Sequence, residues 1–94
     1  MQEILQPTLI EKELIPDLNF KKTLEFEQSP ALKEKLVEAT RLGNSYKGKM
    51  RIEFVDDSGF KAVETTIWAT GAKFICLKGG VWLPISRIKN ISMM

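Results

Sequence analysis

The sequence predicts a mainly β fold, α+β when its elements are counted. We expect a five-stranded, strongly bent antiparallel sheet or small barrel with one preceding α-helix. Apolar residues recur every three to four positions over residues 30–42 and every second position from residue 47. These are the periods of an amphipathic helix and of half-buried strands. Short turns containing glycine or aspartate separate the strand segments, a spacing typical of small barrels.

Length and composition limit the possible functions. The chain has 94 residues, of which 44% are hydrophobic and 28% charged, as in a single globular domain. A domain of this size has little room for a deep active-site cleft. It contains no histidine, which excludes histidine-dependent triads, general bases and metal sites within the chain. The single cysteine, Cys76, cannot form an intramolecular disulfide. We therefore predict a protein that is not an enzyme and has no cofactor or metal.

Segments that would direct the chain to a membrane are not evident in the sequence. The longest uninterrupted apolar run, residues 74–77, is far too short to span a bilayer. The first residues show no basic region leading into a hydrophobic one, as a secretory signal would. We expect a cytoplasmic protein with no membrane partner.

Charge divides the chain into two parts. Residues 1–28 hold three basic and six acidic residues, a net charge of −3, and we call them the lead segment. Residues 29–94 hold eleven basic and six acidic residues, a net charge of +5, and are expected to form the helix and the small barrel. The basic part could meet an anionic partner, although uneven charge also serves solubility alone.

The lead segment carries apolar pairs between prolines. Thr8 and Glu11 fit a capping box, which predicts a short helix over residues 9–15 that ends before Pro16. The segment is too apolar to remain free in solution, so we expect it to dock on its own domain or on a partner. The residues that would form such a partner interface are Leu9, Ile10, Leu14 and Ile15.

A second helix is predicted over residues 30–42. Ser29 suits the N-cap, Pro30 the first helical position and Gly43 the C′ stop. One face of this helix is apolar and is expected to pack into the core. Its residues are Ala31, Leu32, Leu36, Ala39 and Leu42.

Five strands are predicted after the helix. Met50, Ile52 and Phe54 alternate with charged residues and should face the core. Residues 56–59 form a hairpin turn, in which Asp56 and Asp57 are turn formers rather than an acid–base pair. The remaining strands are expected over residues 62–68, 74–77, 81–83 and 88–92, with glycine turns at 79–80 and a corner at Pro84.

These features resemble a known class of fold. A helix, a long bent hairpin and short strands ending in VWLPISRIKNI are similar in layout to the Sm-like and SH3-like small barrels, and in particular to the Rho-binding antiterminator group. The matching residues are Leu83, Ile85 and Ile88, across roughly residues 30–92. The run ETTIWATGAKFICLKGGVWLPISRI also resembles small uncharacterised bacterial proteins. The resemblance implies binding to nucleic acid or to a protein partner, without catalysis. Antiterminators of that group engage Rho through an acidic face, whereas this domain is basic.

Basic and aromatic residues form the candidate binding site. The strand parities place Trp68 and Trp82 outward, and Lys49 and Arg51 opposite the apolar face of the first strand. Aromatic rings stack on bases and cations neutralise phosphates, which is how single-stranded nucleic acid is bound without sequence preference. Additional contacts are expected from Lys73, Lys78 and Arg87.

Two alternatives remain open at this stage. The lead segment or the helix could cover both tryptophans and make a second small core. The protein could instead be a protein-interaction or self-assembly module that uses the lead segment to contact a regulatory protein or a second copy of the chain. Cys76 is expected to be a buried, unreactive core residue in either case.

Overall fold

A computed structural model describes residues 6–22, 28, 30–46 and 48–94. The chain forms two sheets and one α-helix around a shared core. The predicted N-cap, Ser29, lies outside the described residues. None of the helices in the described part is long and apolar enough to cross a membrane.

The first sheet has the strand order β1-β3-β2-β7. Strands β2 (Met50–Asp56) and β3 (Gly59–Thr65) form the predicted hairpin, and β7 (Ile88–Met93) pairs antiparallel with β2. The two-residue strand β1 (Thr8–Leu9) pairs parallel to β3. As the alternation predicted, Met50, Ile52 and Phe54 are buried.

The second sheet has the order β4-β5-β6 and is antiparallel. Its strands are β4 (Ile67–Thr70), β5 (Phe74–Leu77) and β6 (Val81–Pro84). The β5–β6 turn contains Gly79 and Gly80 at φ values of 91° and 82°, which favour glycine. A 3-10 helix, Ile85–Arg87, connects β6 to β7.

The described strands differ in number from the prediction. The sequence indicated five strands in one bent sheet or barrel, whereas the structure has seven strands in two sheets that do not close into a barrel. The predicted strand over residues 62–68 breaks at Thr66, where the chain leaves the first sheet for the second. The carbonyl of Thr66 accepts a hydrogen bond from the backbone N–H of Lys78, at 2.9 Å. The fold is mainly β, as predicted.

The core lies between the two sheets and the helix. Buried side chains from both sheets, from helix α1 (Leu32–Tyr46) and from the lead segment form one cluster. The predicted apolar stripe faces it, with Leu32, Leu36 and Ala39 buried. At about 25 cal/mol per Å² of apolar surface, this burial is the main stabilising contribution.

The lead segment packs against the domain, in a conformation that differs from the predicted helix. It contains a 3-10 helix over Lys12–Asp17 that includes Pro16, where the sequence predicted a helix ending before that residue. Ile15 is buried in the shared core, and the backbone N–H of Ile10 donates to the Ala62 carbonyl at 2.9 Å. The segment thus covers part of the outer edge of β3.

Helix α1 runs through Gly43 to Tyr46, so the prediction that Gly43 is the C′ stop is wrong. Gly43 instead packs against Thr66 and against Ile67, the first residue of β4. A Cβ atom there would lie 2.6 Å from the Ile67 carbonyl oxygen and 2.9 Å from Thr66 Cγ2. A glycine within a helix normally lowers stability by about 1 kcal/mol relative to alanine. At this position a glycine is needed because the close packing leaves no room for a side chain.

We expect Gly43→Ala to lower the free energy of unfolding by about 1–3 kcal/mol, because overpacking outweighs the gain in helix propensity. Urea unfolding followed by circular dichroism measures this difference. Val37→Ala, at an exposed position on the same helix, is the control and should change stability little. A Gly43→Ala variant more stable than the wild type would contradict the packing argument.

Candidate functional site

The outward side of the second sheet carries the candidate site. Antiparallel register pairs Cys76 with Trp82 and with Ala69, and Phe74 with Pro84. Because paired residues share a face of the sheet, these side chains all lie on one side. The opposite side supplies the fully buried core residues Ile67, Ile75, Leu77 and Leu83.

Trp68 joins the same side through an irregularity in β4. The pairing register shifts between Ile67 and Ala69, so two residues of β4 lie opposite one of β5. A bulge of this kind turns neighbouring side chains to one side of the sheet. Trp68 and Ala69 are both exposed, whereas Ile67 is buried.

Three large aromatic side chains are therefore accessible on a single small sheet. Trp68 is 47% exposed, Phe74 46% and Trp82 58%. Four-residue strands span about 13 Å, and three strands about 10 Å, so the rings share a compact surface. We call it the aromatic face; its residues are Trp68, Ala69, Phe74, Cys76, Trp82 and Pro84. Both tryptophans are about half exposed beside the described parts of the lead segment and of the helix, which argues against the alternative of a second core.

The strands that form the aromatic face, with the turns between them, carry charges of one sign. Residues 65–94 contain four basic residues and no acidic ones. Lys73 and Lys78 are exposed beside the β4–β5 and β5–β6 turns, at opposite ends of the sheet. The ammonium group of Lys33 donates to the Gly71 carbonyl at 2.6 Å, and the Lys12 side chain lies beside Gly79. Lysines thus occur at both ends of the face.

Two predicted contacts lie elsewhere. Arg51 lies in β2 of the first sheet and Lys49 directly precedes that strand, whereas the tryptophans belong to the second sheet. Arg51 Nη1 donates to Glu64 Oε2 at 3.2 Å across the β2–β3 pair. The two residues that were predicted to flank the tryptophans thus belong to a different sheet.

Arg87 is also not a surface residue. It is 3% exposed, and its guanidinium donates to Asp57 Oδ1 at 2.9 Å, to the Val55 carbonyl at 3.2 Å and to the Lys22 carbonyl. The guanidinium carbon lies 5.6 Å from the centre of the Phe20 ring, a cation–π contact. The structure therefore places Arg87 in an internal role, contrary to the prediction.

Asp57, the partner of Arg87, also contacts the lead segment. Its carboxylate accepts the backbone N–H of Lys21 at 2.9 Å and that of Lys22 at 3.2 Å. Burial opposes the charged form, but hydrogen bonds from Arg87 and from these two N–H groups outweigh it and hold the pKa of Asp57 below its ordinary value. The Arg87–Asp57 pair therefore joins the lead segment to the β2–β3 hairpin.

The predicted partner interface is divided by the fold. Ile15 is buried and Ile10 is partly buried against the core, while Leu9 and Leu14 are exposed. The pairs Leu9–Ile10 and Leu14–Ile15 thus each direct one residue toward this domain and leave the other exposed.

Phe74 is the site residue that the sequence analysis missed. Its alternation with Ile75 and Leu77 places it outward. Because all four residues 74–77 are apolar, the sequence alone did not indicate which of them face outward. Cys76 is half-buried on the same face rather than fully buried, so that prediction is wrong. The difference arises because nothing in the described part of the chain packs over this side of the sheet closely enough to bury it.

Acidic residues do not form a metal site in the described part of the chain, where no three of the residue types His, Cys, Asp and Glu are grouped. Asp56 serves the hairpin turn, as predicted: its Oδ1 accepts the N–H of Ser58 at 3.0 Å and of Gly59 at 2.8 Å. The Lys61 ammonium also contacts it, at 2.7 Å.

No family model, curated protein or solved structure matches this chain. Any functional conclusion therefore depends on the geometry of the aromatic face.

Proposed function

We propose that the protein binds single-stranded nucleic acid, without catalysis, through the aromatic face. The observation that carries this proposal is the exposure of Trp68, Phe74 and Trp82 on one sheet whose surrounding sequence, residues 65–94, has no acidic residue. Exposed apolar groups that are gathered on one surface usually mark a binding site.

The chemistry of the face suits this ligand. Every base has a π surface, and base–aromatic stacking contributes about 1–3 kcal/mol per base. Sheets with exposed aromatic residues stack two or three bases in other RNA-binding folds. Lys73 and Lys78, at opposite ends of the sheet, would neutralise phosphates on either side of the stacked bases.

The resemblance to Sm-like and SH3-like barrels and to the Rho-binding antiterminator group supports the same class of ligand, and we propose a cytoplasmic, regulatory role on that basis. Self-assembly through the lead segment is the weaker candidate, because Ile10 and Ile15 are directed toward the domain itself.

Charge reversal at the two ends of the face tests the proposal. For the wild type, we expect the logarithm of the affinity for a mixed-sequence single-stranded RNA to fall with the logarithm of salt concentration, with a slope of about −1.4 for two lysine–phosphate contacts. The double variant Lys73→Glu/Lys78→Glu should lose binding and most of that slope. Titration of a labelled oligonucleotide, followed by fluorescence anisotropy, measures both quantities.

The matched control is Lys49→Glu/Arg51→Glu, which changes the net charge by the same amount, from +2 to −2, on the other sheet. It should weaken binding only through long-range attraction. If the two double variants lose affinity equally, the ligand does not use the aromatic face. If the wild type binds no RNA or DNA at low salt, the proposed function is wrong.

A further inference from the structure

A groove adjoins the aromatic face. It lies between the lead segment and the end of the second sheet, has a volume of about 770 Å³, and falls in the range of pockets that hold small organic molecules. Phe74 and Trp82 belong both to this groove and to the aromatic face. A strand of nucleic acid stacked on the face would therefore reach the groove with its next nucleotide.

The lining of the groove suits a nucleobase. Pro16, Leu18 and Phe20 form its apolar side on the lead segment, and Lys73 and Ser86 offer polar groups. None of its described lining residues is acidic. The cationic side chain of Lys73 favours a nucleotide over an uncharged apolar ligand.

The side-chain amide of Gln28 lines the groove, and its orientation is fixed by two hydrogen bonds. Its amide nitrogen donates to the Ile85 carbonyl at 2.8 Å and to the Ile88 carbonyl at 3.0 Å. A carboxamide has two N–H donors, and both are used by these carbonyls. This arrangement fixes which amide atom is nitrogen, so the group that Gln28 can offer a ligand is the acceptor oxygen Oε1.

We propose that the groove is a base-reading subsite of the nucleic-acid site, in which Gln28 Oε1 accepts a hydrogen bond from an exocyclic amino group. The preferred bases are then adenine, through its 6-amino group, or cytosine, through its 4-amino group. Guanine, thymine and uracil present a carbonyl oxygen at the corresponding position, which would face another acceptor, and the 2-amino group of guanine lies at a different position on the ring. This inference rests on the proposed function, because the strand must first bind to the aromatic face.

The test compares two DNA hexamers, one of deoxyadenosine and one of purine deoxyriboside, which differ only in the 6-amino group. For the full chain we expect the adenine hexamer to bind about 2- to 12-fold more tightly, the contribution of one hydrogen bond. Gln28→Met should abolish this ratio. The control Gln6→Met, at an exposed residue distant in sequence, should retain it.

A second variant covers the possibility that Gln28→Met fails to fold. Ser86→Leu fills part of the groove with an apolar side chain that has no acceptor, without removing the Gln28 hydrogen bonds, and should also bring the ratio to one. Equal binding of the two hexamers by the wild type overturns the subsite while leaving the aromatic face in place. A ratio that survives in a folded Gln28→Met variant, or in Ser86→Leu, overturns it as well. If the wild type binds neither hexamer, both the subsite and the proposed function are wrong.

Discussion

Replacing both Trp68 and Trp82 by alanine is expected to weaken the binding of single-stranded RNA at least about 30-fold. Each stacked base contributes about 1–3 kcal/mol, and the two substitutions remove two of the three exposed rings. The loss should appear at low and high salt alike, because stacking does not depend on ion release. Phe74→Ala should have the same kind of effect at about half that free energy.

Anisotropy of a labelled oligonucleotide is the suitable measurement, since the double variant has no tryptophan to report binding. Because both side chains are also about half buried, the variant should be less stable than the wild type, and urea unfolding must show that it is folded at the temperature of the titration. The matched control is Leu9→Ala/Leu14→Ala, which truncates two comparably exposed apolar side chains on the lead segment. An unchanged affinity in the tryptophan variant, or an equal loss in the leucine variant, would place the ligand elsewhere.

Arg87→Met is expected to destabilise the fold by about 3–5 kcal/mol, because it removes one partner of a buried ion pair. The Val55 and Lys22 carbonyls lose their donor in the same substitution, and Asp57 keeps its charge. Domains of this size have a total stability of about 5–15 kcal/mol, so the variant should be close to unfolding. Urea unfolding measures the difference. Lys49→Met, at an exposed lysine, is the control.

The effect of Arg87→Met should depend on pH. In the folded state the pKa of Asp57 is below its ordinary value. The ion pair therefore stabilises the protein fully at pH values above the ordinary pKa of an aspartate. This stabilisation is lost as the pH falls through the lower, folded-state pKa. We expect the difference between wild type and variant to be full at pH 7 and to shrink below about pH 4. If the stability difference between wild type and Arg87→Met stays constant between pH 7 and pH 3, the Arg87–Asp57 ion pair is not its source.

Periodic features were predictable from the sequence. The stripe of helix α1 and the alternation of Met50, Ile52 and Phe54 depend only on local geometry, and the structure confirms both. Outward tryptophans followed from the same parity argument. Asp56 was recognisable as a turn former because the backbone N–H groups that it accepts belong to residues two and three positions along the chain.

Features that depend on a distant contact were not predictable. Gly43 has the sequence context of a helix stop, and only the approach of β4 explains its place within the helix. Arg87 resembles any surface cation in the sequence, yet its carboxylate partner is 30 residues earlier. The strand break at Thr66 likewise depends on a hydrogen bond from Lys78, which the parity of residues 62–68 does not reveal.

The sequence by itself determined which residues face inward within each helix and strand, because side-chain direction repeats with the local backbone period. It also determined that residues 65–94 carry only positive charges. Tertiary structure decided which surfaces come together: it joined Phe74 to the two tryptophans, placed Arg51 in the other sheet, and buried Arg87. The physical reason is that a period assigns each side chain to a face, whereas the neighbours of that face depend on strand order and on the packing of the whole chain.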